Sequence, residues 1–82
     1  MEESNFYNAV LTGGTLEGSD FTRVNMSNAI LNGARLDNAL FIETKLKSTH
    51  FINAVLSGAD FTYAKKVPEH LKAILKKQNI KH

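Results

Sequence analysis

The chain carries a large hydrophobic residue at every fifth position over most of its length. The spacing holds for twelve residues in succession. A helix repeats about every 3.6 residues and a strand every two, so neither element alone produces this pattern. These twelve residues, the centres of the five-residue units, form the predicted core: Phe6, Leu11, Leu16, Phe21, Met26, Leu31, Leu36, Phe41, Leu46, Phe51, Leu56 and Phe61.

The residue two positions before each centre is small or β-branched, as in Ala9 and Ala59. Residues two apart in an extended segment point to the same side. Each unit therefore places one small and one large residue inside, and the pattern predicts a short straight face followed by a corner. Val24, Thr44 and Thr49 are larger than the usual residue at the small position and predict local bulging.

The residue two positions after each centre is expected to form the corner. Gly and Asn dominate there, and both accept the positive φ that the third residue of a type II turn requires. Every fourth corner instead carries Arg23, Glu43 or Tyr63. The sequence therefore predicts three type II corners in each coil and a fourth corner of a different kind.

Units such as Ala59-Asp60-Phe61-Thr62-Tyr63 resemble the pentapeptide-repeat proteins, whose consensus is A-(D/N)-L-x-x. The resemblance runs from Ser4 to Tyr63, over twelve consecutive units. It implies an all-β solenoid, a right-handed quadrilateral β-helix of about three coils with four units in each coil. We expect a C-terminal capping α-helix to complete this fold.

The spacing of the phenylalanines also indicates four units in each coil. Phe21, Phe41 and Phe61 lie twenty residues apart and are expected to stack on one face. One similarity departs from this period, because the segment 8–11 matches the segment 53–56, which lies forty-five residues later. The repeat has therefore slipped by one face during its history, within a four-face register.

The chain is divided into three predicted regions. Residues 1–3 form an N-terminal extension, residues 4–64 the β-helix, and residues 65–82 an amphipathic capping helix and tail. The extension is too short to cover the first coil. Exposed backbone groups at that edge invite another chain, so the sequence predicts a weak homodimer through the uncapped N-terminal coil or a contact of that coil with a neighbouring domain. Association through Leu40 and Ile42 on a side wall is the alternative.

The C-terminal helix is predicted from Pro68 to Asn79. Proline suits the first turn of a helix, and Leu71, Ile74 and Leu75 form one apolar stripe. We expect this stripe to cover the last coil, as repeat arrays require. A basic helix for a membrane or for nucleic acid is the alternative.

The net charge of +2 comes from the C-terminal region, which carries +5, whereas the repeats carry −1 and residues 1–3 carry −2. Glu17, Asp20, Asp37 and Lys45 are expected to be exposed. Lys45 pairs only with Lys47 along one face, so nucleic acid is not a predicted partner. No secretory signal or bilayer-spanning run occurs. The sequence therefore predicts no membrane partner and favours a cytoplasmic protein.

The sequence predicts no catalytic residue, no metal site and no cofactor. Cysteine is absent, and His50, His70 and His82 have no metal-ligand spacing. Asp20 and Asp60 are expected on one face but about two coil spacings apart, too far for paired acid–base work. The chain is therefore not expected to be an enzyme.

Surface recognition is the remaining class of function. Five apolar residues are expected to point outward and form the candidate interaction surface: Leu40 and Ile42 on one wall, and Val10, Ile30 and Ile52 on the opposite wall. Scattered apolar residues are also common on ordinary surfaces. The sequence thus favours a small non-enzymatic repeat module with a protein partner that it does not identify.

Two alternatives remain open. Some pentapeptide-repeat proteins mimic duplex DNA and bind DNA gyrase, and this resemblance implies a topoisomerase-binding or topoisomerase-protecting protein. Those proteins are acidic along the rod, whereas this chain has nearly neutral repeats and a basic tail. The other alternative is a piece, or a reduced version, of a larger repeat protein.

Overall fold

The computed structural model describes residues 5–78 and 80. Single-residue parallel bridges join successive coils, and no longer strand occurs in these residues. Every bridge spans twenty residues, as the spacing of the phenylalanines predicts. The bridges are Asn5 with Asn25, Val10 with Ile30, Thr15 with Arg35, Asp20 with Leu40, Asn25 with Lys45, Ile30 with His50, Arg35 with Val55, Leu40 with Asp60 and Lys45 with Lys65.

Backbone hydrogen bonds join neighbouring coils, as the unit around Phe21 shows. Its N–H donates to the carbonyl of Leu40 (2.7 Å), and the N–H of Leu40 donates to the carbonyl of Ser19 (2.9 Å). The N–H of Val24 closes the corner on the carbonyl of Phe21 (3.0 Å). The solenoid therefore pairs its backbone between coils and within corners, although its strands are only one residue long.

The predicted difference between corner types is wrong. Arg23, Glu43 and Tyr63 have φ of 59°, 56° and 60°, close to the 64° of Asn8. All twelve corner residues have positive φ. The same hydrogen bond closes these corners, including a bond of 3.3 Å from the N–H of Thr44 to the carbonyl of Phe41. The closed coil imposes the left-handed conformation whatever the residue type prefers.

The core is a column of large side chains enclosed by the coils. Phe41 lies at its middle, stacked on Phe21 and Phe61 with ring centroids 5.1 and 4.6 Å away. Phe51 meets Phe41 edge-on at 5.7 Å. Nine of the twelve predicted centres are buried. Such aromatic pairs add specific contacts to the burial of their surface.

The first three centres depart from the prediction. Phe6, Leu11 and Leu16 are only half-buried, although they pack against the buried cluster. Their bridged coil neighbours lie on one side only within the described residues. Centres in the second coil (residues 24–43) have a coil on both sides, and Leu71 and Leu75 of the C-terminal helix join the buried cluster beside the last coil (residues 44–63).

The predicted bulging at the threonines is also wrong. Thr44 and Thr49 are completely buried, and their hydroxyl groups donate to the carbonyls of Phe21 and Met26 at 2.7 Å. The twenty-residue bridges continue on both sides of them. Because each hydroxyl has a partner on the preceding coil, the core accepts the larger side chain without a change of register.

One α-helix, α1, spans Glu69–Lys77. Pro68 is its N-cap residue. Lys76 and Lys77 occupy the last turn, where their positive charges interact favourably with the negative end of the helix dipole. Leu71 and Leu75 are fully buried in the core cluster, and Ile74 packs against it. The predicted end at Asn79 lies outside the described residues, as do Ser4, the extension 1–3 and His82.

Candidate interaction surfaces

The coil presents four walls, each formed by the outward residues on either side of the stacked centres. Wall 1 contains Asn5, Tyr7, Asn25, Ser27, Lys45, Lys47 and Lys65; wall 2 contains Val10, Thr12, Ile30, Asn32, His50 and Ile52; wall 3 contains Thr15, Glu17, Arg35, Asp37, Val55 and Ser57; wall 4 contains Asp20, Thr22, Leu40, Ile42, Asp60 and Thr62.

Wall 2 exposes the predicted apolar group. Val10 is 68% exposed and Ile52 is 53% exposed, while Ile30 is half-buried between their coils. Val10 and Ile30 are directly bridged. The amide of Asn32 accepts a hydrogen bond from the N–H of Ile52 at 3.0 Å. Apolar side chains from all three coils are therefore accessible on wall 2.

Wall 4 offers less apolar surface. Leu40 and Ile42 are both half-buried, and Leu40 is bridged to Asp20 on one side and Asp60 on the other. The two outward apolar residues that the sequence places here are thus enclosed by polar neighbours, which makes wall 4 a weaker docking surface than wall 2.

The aspartates of wall 4 are held by the threonines that follow them. Asp20 Oδ1 accepts hydrogen bonds from the N–H of Thr22 (2.9 Å) and from its hydroxyl (2.5 Å), and Asp60 has the same arrangement with Thr62. The hydroxyl and then the N–H of Thr22 lower the pKa of Asp20, because both stabilise the carboxylate. Asp20 and Asp37 were expected to be exposed, but both are half-buried.

Wall 3 pairs its single cation with two carboxylates. The guanidinium of Arg35 lies 3.3 Å from a carboxylate oxygen of Glu17 and 3.5 Å from one of Asp37. At the corner after wall 4, Arg23 lies 3.6 Å from Glu43. The two arginines of the coils therefore face carboxylates.

Wall 1 concentrates lysines. Lys45 and Lys65 are bridged on adjacent coils, and Lys47 and Lys66 lie beside them. Together with Ser27 they line a cleft of about 270 Å³, which we call the lysine cleft. The sequence indicated only Lys45 and Lys47. The twenty-residue period could have added Lys65, but the repeat was expected to end at residue 64.

Helix α1 contacts the last coil through a histidine. His70 Nε2 accepts a hydrogen bond from the N–H of Phe51 at 3.2 Å, and its ring stacks on His50 at 6.4 Å. One coil earlier, the equivalent N–H group belongs to Leu31, and it donates to the carbonyl of His50 on the last coil. The imidazole of His70 therefore takes the place of the carbonyl that a further coil would supply.

A second cleft lies between α1 and the last coil. Its volume is about 550 Å³, and its lining is mainly apolar: Phe61, Tyr63, Ala64, Val67, Lys72, Leu75 and Lys76. Tyr63 at its mouth is 77% exposed. The apolar stripe of α1 thus leaves one side of the last coil accessible.

No catalytic constellation emerges from the walls. Within residues 5–78 and 80, no group of three His, Cys, Asp or Glu residues is arranged to hold a metal ion. His50 and His70 are together, but His70 is engaged with the backbone. The described part of the chain also contains no helix with the length and apolarity needed to cross a membrane.

The fold is that of a β-helix solenoid built from five-residue units. A family model described as pentapeptide repeats matches residues 4–41 and 39–65 with eight copies. The chain belongs to the pentapeptide-repeat family. No curated protein matched the sequence.

Among solved structures, the chain is similar to a pentapeptide-repeat protein from the thylakoid lumen of Arabidopsis thaliana. The two are 28% identical, with a TM-score of 0.49. The match covers 94% of this chain and 53% of the other, so this chain spans about half the length of that protein.

Proposed function

We propose that this chain is a small non-enzymatic binding module that docks a protein partner on wall 2. The exposure of Val10 and Ile52 on one wall, with Ile30 between them, is the observation that carries the proposal. Accessible apolar side chains contribute favourably when a partner removes them from water. The polar residues Thr12 and Asn32 provide hydrogen-bonding groups on the same wall.

The chemistry of the titratable groups favours binding over catalysis. The pKa of Asp20 is lowered by its bonds to Thr22, whereas a carboxylate acting as general base or acid near neutral pH needs a raised pKa. Asp60 is held in the same way by Thr62. Both carboxylates are engaged in stabilising the wall.

The gyrase-binding alternative receives less support. A protein that imitates duplex DNA needs a continuous acidic wall, because the duplex carries a dense line of phosphate charges. Wall 1 is instead lined by Lys45, Lys47 and Lys65. On wall 3 the carboxylates of Glu17 and Asp37 face Arg35.

We also infer an architecture for the chain that is more detailed than the family match alone provides. We assign residues 4–64 to a right-handed quadrilateral β-helix of about three coils and residues 65–82 to a capping helix and tail. The twenty-residue bridges support the coil length. The burial of Leu71 and Leu75 against the core supports the capping role. The cytoplasmic location stays a prediction from the sequence.

A weak homodimer through the first coil is a second proposal. Half-burial of Phe6, Leu11 and Leu16 favours it, because pairing would remove apolar surface from water. Sedimentation velocity across a wide range of concentrations tests the proposal. We expect a monomer–dimer equilibrium, and a single monomeric species at the highest concentration would contradict it.

A photo-crosslinking side chain placed at Ile52 tests docking on wall 2. The protein is expressed in the cells that produce it naturally, and Ser57 on wall 3 carries the same crosslinker as a control. We expect a defined adduct from position 52 and none from position 57. Equal adducts at both positions, or none at either, would contradict docking on wall 2.

The partner identified in this way is then purified and its affinity measured by calorimetry. The double substitution Val10→Lys with Ile52→Lys is expected to weaken binding by about tenfold or more, because it places charges in an apolar contact. Thr15→Lys with Ser57→Lys, both exposed on wall 3, provides a control with the same change of charge. If both variants bind equally well, wall 2 is not the docking surface.

A further inference from the structure

We propose that the lysine cleft binds a small ligand that carries two or more phosphate groups. This inference concerns wall 1 and is independent of protein docking on wall 2. It depends on three observations: no carboxylate of the described residues lies within 4.0 Å of the ammonium groups of the cleft, like charges are placed on adjacent coils, and the cleft has the size of a small ligand.

The lysines of the cleft lack the partners that neutralise other basic residues. Arg23 and Arg35 face carboxylates on the coils, and Lys72 lies 3.4 Å from Glu69 on α1. Within residues 5–78 and 80, no carboxylate lies within 4.0 Å of the ammonium groups of the lysine cleft. The cleft therefore keeps its positive charge available for an anion.

The arrangement of these lysines is unfavourable without a ligand. Lys45 and Lys65 are directly bridged, and adjacent chains in such a pairing lie only about 4.8 Å apart. Like charges placed directly opposite each other across paired strands destabilise the pairing. A bound anion would turn this repulsion into attraction, so ligand binding should stabilise the fold.

The backbone beside the cleft is also strained. Lys66 has φ of 56°, a left-handed conformation that costs energy for any residue with a Cβ atom. It nevertheless lines the same cleft as Lys47 and Lys65. Lys66 therefore adds a fourth ammonium group to the cleft.

The size and the donors of the cleft indicate the class of ligand. A volume of about 270 Å³ lies just below the usual range of ligand sites, so the cleft suits only a small group. Four ammonium groups and the hydroxyl of Ser27 supply only donors to an anion, and lysines bind phosphate oxygens as point charges. A di- or triphosphate group distributes its negative charge over a comparable length.

Calorimetric titration with inorganic tripolyphosphate tests the proposal on the full chain, at a salt concentration of about 50 mM and again at higher salt. We expect one ligand per chain, a raised melting temperature and weaker binding as salt increases. ATP is the second probe, and equal affinity for ATP and tripolyphosphate would show that the phosphates are the recognised part. Absence of binding to both probes at millimolar concentration would overturn the proposal.

The variant Lys45→Gln with Lys65→Gln removes the facing pair. We expect it to weaken tripolyphosphate binding by about tenfold and to raise the melting temperature of the free protein. The control Lys76→Gln with Lys77→Gln makes the same change of charge on α1 and should bind as the wild type does. An equal loss of tripolyphosphate affinity in the control would show that the ligand responds only to the net charge of the protein, and it would overturn the proposed site.

Two additional measurements complete the test. The single variant Lys47→Gln gives an independent reading if the double variant does not fold, and it should also weaken binding. A single-stranded oligonucleotide is the third probe. If it binds more tightly than tripolyphosphate and depends on the same lysines, the ligand is a nucleic acid and the small-ligand proposal is wrong.

Discussion

Individual corner residues adopt a backbone conformation that their side chains do not favour. Glu43, Ser48 and Tyr63 have φ of 56°, 58° and 60°, in a region that costs a residue with a Cβ atom about 1–2 kcal/mol. The coil can close only if every corner turns in the same sense. Contacts between coils therefore outweigh the local preference at these positions.

Replacing Ser48 by glycine tests this balance. Ser48→Gly should raise the free energy of unfolding by up to about 1 kcal/mol, because relief of the left-handed strain exceeds the extra entropy that glycine loses on folding. Ser48→Val should lower it, since a β-branched residue tolerates positive φ poorly. Urea unfolding measures both changes, and a destabilised Ser48→Gly would contradict the explanation.

Gly33 provides the reverse control. A Cβ atom added there would meet no atom within 4 Å, and its φ is 70°. Gly33→Ala should therefore report backbone strain without a steric clash, and it should lower the stability by an amount comparable to the strain at Ser48. A neutral Gly33→Ala would show that the corner conformation costs little.

The carboxylate of Asp20 links stability to pH. Its pKa is lowered in the folded state by the hydroxyl and the N–H of Thr22. A lowered folded pKa stabilises the fold above the ordinary value of 3.8, and this stabilisation is lost as the pH falls through the folded pKa. The contribution is therefore complete at neutral pH and disappears in acid.

Thermal unfolding of Asp20→Asn between neutral pH and about pH 2 checks this expectation. The variant should be less stable than the wild type at neutral pH, and the difference should shrink as the pH falls below 3.8. Thr22→Val removes the hydroxyl donor and should reduce the pH dependence in part. A difference between wild type and Asp20→Asn that stays constant with pH would refute the coupling.

Among the elements, helix α1 completes the hydrogen bonding of the last coil as well as covering its apolar side chains. Leu71 and Leu75 supply the burial, while His70 Nε2 accepts the N–H of Phe51. A buried donor without a partner costs more than an ordinary hydrogen bond contributes. The histidine therefore has a structural role that its apolar neighbours cannot replace.

Substitution of His70 by phenylalanine keeps a ring of similar shape and removes the acceptor. We expect His70→Phe to lower the free energy of unfolding by about 1–3 kcal/mol, the cost of leaving the N–H of Phe51 unpaired. His50→Phe is the matched control, since the side chain of His50 is exposed and, among the described residues, makes a ring contact but no hydrogen bond. Equal effects of the two substitutions in urea unfolding would exclude the capping bond.

The sequence predicts the coils well because the large apolar core residues recur at the period of the coil units. The five-residue spacing gives the coil length, and the stripe of Leu71, Ile74 and Leu75 gives the helix. The conformations of Arg23 and Glu43 could not be predicted from residue preference, because the constraint comes from coil closure.

Other features depend on how the last coil meets α1. The lysine cleft requires Lys65 to continue the period beside Lys45, one residue beyond the predicted end of the repeats. The contact of His70 with Phe51 depends on the path of α1 over the last coil, and no sequence period describes that path. Sequence periodicity thus predicts the coils but not the interactions where they end.

At the scale of the whole molecule, stability should accumulate from one coil to the next. Each coil bonds and packs mainly with its immediate neighbours, as in other solenoids. The buried second coil has neighbours on both sides, whereas the half-buried Phe6, Leu11 and Leu16 belong to the first. Lengthening the middle of the stack should therefore add a fully enclosed coil while leaving the helix contacts unchanged.

Insertion of a second copy of residues 26–45 directly after Lys45 tests this behaviour. The copy contains twenty residues, so every inward residue keeps its place and the new coil should bond to both neighbours. We expect a higher urea midpoint and a larger dependence of unfolding free energy on urea, because more surface is buried. A copy of residues 27–45 is one residue shorter and moves the following inward residues out of register, so this control should be strongly destabilised. If both insertions changed the stability equally, the twenty-residue coil would not be the unit that determines the stability of this protein.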